Sequence, residues 1–274
     1  MPGFLVNEPW WTAWCGLAWA LAVALATWAV SMARRDASLA DRVWSLMIAG
    51  AGVVYAVRFS RSGVPAEAWA AVAVAAAWAA RLGAFITLRN WGEGEDRRYR
   101  AMRERHGDRF GAKSLYLVFG LQAALAWVVS APLFAAVAFS RPADSWLAAP
   151  GLVLAVSGML FEAVADAQMA RFRRESAGSG GVMDRGLWRY SRHPNYFGEA
   201  CVWWGLWLAA LGIAGAAAAW SVVSPLLMTF LLLRVSGVSL LEEELPSRRP
   251  AYCAYQRRTS AFFPRPPRRD GGEA

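Results

Sequence analysis

Seven stretches of this chain stay apolar for about the length a helix needs to cross a bilayer, and this excludes most other ways of folding. A hydrocarbon core roughly 30 Å thick takes about 20 residues of helix. The stretches run approximately 10–33, 43–60, 66–88, 114–139, 146–170, 196–214 and 217–240. Apolar residues fill these blocks almost continuously, whereas a soluble amphipathic helix confines them to one stripe. With 57% hydrophobic residues, 16 Trp among 274 positions and a mean hydropathy of +0.28, the expected fold is all-α, a polytopic membrane bundle of about seven helices. The second block is the shortest and contains glycine. The first is too long for the apolar core of a signal peptide and lacks a basic leader or a small-residue cleavage site before Arg34-Arg35, so it reads as a retained span.

Charge orients the bundle. With the N-terminus outside and the C-terminus cytoplasmic, 24 of the 29 Lys and Arg fall in inner loops or the tail: Arg34, Arg35 and Arg42, then residues 89–113, 171–192 and 248 onward. The outer loops hold little beyond Arg61 and Arg141. This is the positive-inside asymmetry, and it accounts for the net charge of +9 through topology and contact with membrane lipids, with no nucleic acid required. Cys15, Cys201 and Cys253 are scattered and His106 and His193 are the two histidines, so no metal site is expected. The chain reads as one membrane-embedded domain over 1–264 with a flexible basic tail over 265–274. Its Arg and Ala bias fits a bacterial inner membrane.

Ionisable residues inside apolar blocks are costly and usually mark a functional path. Arg81, Glu162, Asp166, Glu199 and Arg234 are such residues, and Glu162 and Asp166 share a helical face at i, i+4. Buried ion pairs that only set helix packing are the alternative. Arg clusters emerge at the inner ends of these blocks, including Arg89, Arg171, Arg173, Arg174, Arg189 and Arg192. Guanidinium forks suit phosphate, and nearby Asp, Glu and Asn suit ribose hydroxyls or an amide, so an anionic nucleotide at the inner mouth is coherent. No G-x-G-x-x-G or P-loop sequence is present.

The stretch GLWRYSRHPNYFGE, residues 186–199, concentrates this chemistry. Pro194 opens a helix whose first N–H groups can meet an anion or a carboxamide. Asn195 donates and accepts, Tyr196 offers a ring and a hydroxyl, and Glu199 lies one turn further on. His193, at the start of this helix, can serve as a simple hydrogen-bond donor.

Together with FEAVADAQMARFR, RNWGEGEDRRYR and RRPAYCAYQRRTSAFFP, this stretch resembles an uncharacterised membrane family grouped with the steroid 5α-reductase C-terminal domain, over about 41–264. The resemblance implies a seven-helix bundle that takes NADPH from the cytoplasm and a lipid-like substrate from the bilayer. It assigns Glu162, Asp166 and Arg173 to the cofactor, with Asn195, Tyr196 and Glu199 from P-N-Y-x-G-E, and Arg234 from the last span. Arg89, Arg189 and Arg192 follow by position as phosphate candidates. The proton-donating Tyr of those reductases is replaced by Trp78, which leaves Asp41, Tyr55, Tyr196 and Glu199 as catalytic candidates.

A second resemblance, through R-H-P-x-Y and LLEEELPSRRPAYCAYQ, is to isoprenylcysteine carboxyl methyltransferase-like membrane enzymes. It would assign His193, Glu242 and Glu243 to S-adenosylmethionine. The expected function is therefore an NADPH-dependent reductase of a lipid carbon–carbon double bond, with a membrane methyltransferase as the alternative and a non-enzymatic lipid-binding bundle as the lesser one.

Overall fold

A computed structural model describes residues 9–141, 146–176, 181–235, 238, 242 and 251–268. Among them there is no strand, and six helical runs are long and apolar enough to cross a membrane: Pro9–Arg34, Leu39–Ser62, Ala66–Arg89, Arg97–Val129, Ala148–Glu175 and Pro194–Val235. The chain is an integral membrane protein built of helices.

Six runs stand where seven blocks were expected, because the last two blocks share Pro194–Val235. That run is not one straight rod. Helix α9 (Pro194–Ala214) stops at Gly215, whose φ of +62° lies in the left-handed region. A 3₁₀ stretch, Gly215–Val222, precedes helix α10 (Val223–Phe230) and a π-helical turn, Leu231–Val235. Trp204 Nε1 donates to Thr229 Oγ1 at 3.2 Å. Straight helix would hold those residues roughly 37 Å apart, so the chain doubles back between them.

The described residues pack as two compact units, one drawn from 1–152 and 206–224, the other from 153–205 and 225–274. In the first, α1 (Pro9–Arg34), α2 (Leu39–Phe59) and α3 (Ala66–Arg89) pack in sequence; α4 (Arg97–His106) and α5 (Phe110–Ser114) lead on to α6 (Leu121–Val129) and α7 (Ala131–Ala138), which close over the first three. Small residues set the spacing: a Cβ on Gly16 would fall 2.2 Å from the Tyr55 hydroxyl. The outer face is inverted relative to a soluble protein. Trp10, Trp11, Trp14, Leu21 and Leu25 stand 46–61% exposed on α1, which lipid accommodates and water would not.

The second unit depends on a close crossing of α8 (Ala148–Glu175) with α9. A Cβ on Gly158 would lie 2.6 Å from the Gly198 carbonyl oxygen, and one on Gly198 would lie 2.7 Å from the Glu162 amide nitrogen. Only two glycines let the backbones meet so closely. Phe161 and Phe197 flank the crossing edge to face, with centroids 5.8 Å apart, and Phe262 meets Phe197 at 5.7 Å.

Gly198→Val is therefore expected to lower the thermal midpoint in detergent by several degrees, in line with roughly 1–3 kcal/mol of overpacking. Gly94→Ala, where the nearest atom stands 3.9 Å from the added methyl, should leave it unchanged. Equal midpoints for the two variants would remove the close crossing from the account.

Candidate cofactor site

The glycine crossing decides which side chains meet. Glu162 lies one turn beyond Gly158 on α8 and Asp166 one turn beyond that, so both run along the face that α9 presses with Gly198. Across from them Asn195 Nδ2 donates to Asp166 Oδ1 at 3.2 Å. Glu162, Asp166 and Glu199 are all buried, at 2%, 5% and 6% exposure. Because the amide nitrogen turns to the carboxylate, Asn195 Oδ1 points the other way, and it is buried with no hydrogen-bond partner among the described residues. A buried carbonyl oxygen without a donor carries a penalty of about 1–3 kcal/mol, which a ligand N–H would relieve.

The segment before α9 is pinned to α8 and to the C-terminal residues. Gly186 sits at φ +58° against Gln168, whose Oε1 accepts from Leu187 N at 2.9 Å, and Trp188 Nε1 donates to Ala165 O at 3.0 Å. Ser191, fully buried, donates to Phe262 O at 2.8 Å and accepts from His193 N at 3.1 Å. Arg192 reaches Glu242 with two parallel bonds of 2.7 Å and donates to Gln256 O and Thr259 O at 2.8 and 2.6 Å. It thus neutralises a carboxylate and satisfies the carbonyl end of helix α11 (Ala251–Arg258) at once. His193 Nε2 lies 3.1 Å from the same carboxylate, and its ring stacks on Tyr196 at 5.5 Å. Tyr255 Oη donates to the carbonyls of Trp188 and Ser191.

Arg192, a phosphate candidate by position, is in this way committed to holding the chain. Arg173, Arg189 and Arg234 are exposed. Glu243 lies outside the described residues. Residues 265–268, expected to begin a flexible tail, hold two backbone bonds: Arg265 N to Tyr190 O and Arg268 N to Arg258 O, both 2.9 Å.

Three expected site residues, Asp41, Tyr55 and Arg89, belong to the other unit. Asp41 accepts from Arg98 at 2.8 Å, Tyr99 Oη at 2.7 Å and Gln122 Nε2 at 3.0 Å. Loop 95–96 braces this cluster: Asp96 N donates to Ser38 Oγ at 2.7 Å, and Arg103 holds Glu95 with bonds of 2.9 and 2.7 Å. Burial would raise both loop carboxyls, but bonds and charges from Arg103 and Arg98 hold Glu95 and Asp96 below their ordinary values. Tyr55, 1% exposed, bonds Ser130 Oγ at 3.0 Å and fills the notch over Gly16. Some 14 residues separate Asp41 from Tyr55 on α2, about 21 Å of helix, so they do not share one site. Arg89 is exposed and donates to Asn90 Oδ1 at 3.1 Å. Sequence reasoning missed Arg98, Tyr99 and Gln122 as partners of Asp41, and Gly158 as the partner of Gly198. Nothing in their spacing announces either grouping; a Gly one turn before a buried Glu was the one available hint.

Burial alone would raise the Glu242 carboxyl, yet bonds from His193 and Arg192 and the Arg192 charge hold it down to about 2. Burial and the Glu242 charge push the Tyr252 phenol up to about 12. A carboxyl whose folded value is depressed stabilises the fold above its ordinary value of 4.5 and loses that contribution as pH falls through about 2. Hydrogen exchange over 251–262, corrected for intrinsic rate, should therefore accelerate as pH drops from about 4.5 towards 2. Glu242→Gln should abolish this acid step; a step of undiminished size in that variant would assign it to another group.

Comparison with known proteins adds a family. A family model described as a protein of unknown function (DUF1295) matches residues 27–259. No curated protein and no solved structure matches the chain. The match runs from within α1 to the residue after α11 and takes in both Asp166 and the 186–199 stretch, so this chain belongs to the uncharacterised DUF1295 family.

Proposed function

We propose that the protein is a membrane-embedded, NADPH-dependent reductase of a carbon–carbon double bond in a lipid-like substrate: a sterol, an isoprenoid or an unsaturated acyl chain. The observation that carries the reading is the pairing of Asp166 with Asn195 at 3.2 Å, which leaves Asn195 Oδ1 buried without a donor. These are the residues that resemblance to the steroid 5α-reductases assigns to the cofactor. The residues fit the group: Asn195 Oδ1 would accept from a carboxamide N–H, Glu162 and Asp166 would accept from ribose hydroxyls, and Arg173, Arg189 and Arg234 would meet phosphates.

NADPH supplies hydride when bound. The protein contributes orientation, exclusion of water and a proton. Of the expected donors, Tyr196 and Glu199 share a unit with Asp166 and Asn195. Asp41 and Tyr55 have other work, the first in its cluster with Arg98, Tyr99 and Gln122, the second against Ser130. We read the reversal between Trp204 and Thr229 as two crossings, which gives seven spans. With the N-terminus outside, the positive-inside asymmetry turns the site to the cytoplasmic side of a bacterial cell membrane.

One observation favours the S-adenosylmethionine reading. Three buried carboxylates, Glu162, Asp166 and Glu199, suit a sulfonium and an ammonium group. Against it, Glu242, the carboxylate that reading requires, is engaged by Arg192 and His193.

Calorimetric titration of the purified protein with NADPH, NADH and S-adenosylmethionine separates the two. Submicromolar to micromolar NADPH binding is expected, weakened roughly tenfold to a hundredfold in Asn195→Ala and Asp166→Ala, as loss of a hydrogen bond to a charged or buried group implies. Preferential binding of S-adenosylmethionine, lost in His193→Ala, would replace the reductase with the methyltransferase. Retained NADPH binding in both first variants would move the cofactor elsewhere.

A further inference from the structure

We propose that the cleft between the end of α11 and residues 259–268 is a second ligand site, one that binds a phosphomonoester or diphosphate group. The cleft encloses about 340 Å³ and is lined by Arg257, Arg258, Arg265 and Arg268, with Thr259 and Ser260 adding hydroxyls to its wall. Among the described residues no acidic side chain lines it. Arg258 is paired with Asp184, whereas Arg257, Arg265 and Arg268 are exposed and have no acidic partner among the described residues.

A single exposed Arg beside a membrane usually does no more than touch headgroups. Three around one concavity differ when their backbone is ordered, and here it is. Arg268 N bonds Arg258 O and closes residues 258–268 into a loop; Arg265 N bonds Tyr190 O; Arg192 N bonds Ser260 O at 2.8 Å. Arg192 beneath them is turned to Glu242, so its charge is already balanced. The three remaining side chains therefore stem from backbone held around one cleft, and each carries the paired N–H donors that phosphate oxygens accept. A phosphomonoester carries close to two charges near neutrality and a phosphodiester one, so three unbalanced cations favour the former. The volume exceeds what phosphate alone fills and falls within the range of small-molecule sites, leaving room for the group it is attached to.

None of the lining residues belongs to a run apolar enough to cross a membrane. The phosphate can therefore come from a lipid headgroup or from a soluble ester. The site is distinct from the Asp166–Asn195 pair and does not depend on the reductase reading.

The test uses the full-length protein in neutral detergent and inorganic pyrophosphate as the probe, titrated by calorimetry at low and high salt. Binding is expected in the wild type, weakening with salt. It should fall at least about tenfold in R257Q/R265Q/R268Q and stay unchanged in R34Q/R61Q/R141Q, which removes the same charge elsewhere. NADPH affinity should be the same in both triple variants. Displacement of pyrophosphate by dihexanoyl phosphatidate at lower concentration than by glycerol 3-phosphate assigns the lipid source; equal displacement assigns the soluble one. Absence of pyrophosphate binding to the wild type, equal loss in the two triple variants, or loss of NADPH binding with the three cleft arginines would each overturn a separate phosphate site.

Discussion

Two backbones touching at Gly158 and Gly198 are the contact on which the candidate site depends. In lipid no hydrophobic effect drives helices together, so a close crossing has to be made by packing and by the bonds that closeness permits. Here closeness lays the Glu162–Asp166 face of α8 against the start of α9, where Asn195 reaches Asp166. The buried carboxylates then sit on rigid helices and not on a loop, which is what preorganisation of a charged ligand requires. Replace either glycine with a larger residue and the helices separate by more than the one hydrogen bond can tolerate.

A second arrangement holds the beginning of α9 in place. Arg192 joins Glu242 to the last carbonyls of α11, Ser191 bonds the carbonyl of Phe262, and Tyr255 bonds those of Trp188 and Ser191. The Arg-His-Pro triplet thus divides its labour: Arg192 ties the C-terminal residues down, His193 stacks on Tyr196 and touches Glu242, and Pro194 opens the helix. Because one guanidinium serves both a carboxylate and a helix end, the C-terminal segment is part of the scaffold of the site. Backbone bonds at Arg265 and Arg268 keep three of its arginines around one cleft, which is what makes a second anion site there physically reasonable.

Membrane character was legible because it is written into composition over whole blocks: the bilayer's thickness sets a length, and each apolar stretch either reaches it or does not. The candidate carboxylates were legible for a related reason, since an acid inside such a block is conspicuous. Tyr55 shows where this stops. A tyrosine in a span was a reasonable proton donor by type, but only packing reveals that its hydroxyl meets Ser130 and its ring covers Gly16. Arg192 looked like any other arginine near an anion site, yet the carboxylate that occupies it lies 50 residues away.

The amino-acid sequence by itself determined that the chain lives in a membrane as helices, where the first three apolar blocks begin and end to within a few residues, and which charges stand where charge is expensive. These are local or additive properties, set by side-chain transfer energies along a segment. Tertiary structure alone decided that the chain doubles back between Trp204 and Thr229, that Asp166 meets Asn195, that Asp41 gathers Arg98, Tyr99 and Gln122, and that Arg192 is spoken for by Glu242. Those pairings depend on which small residues allow two backbones to approach. That is a property of two surfaces in contact, and no single segment carries it.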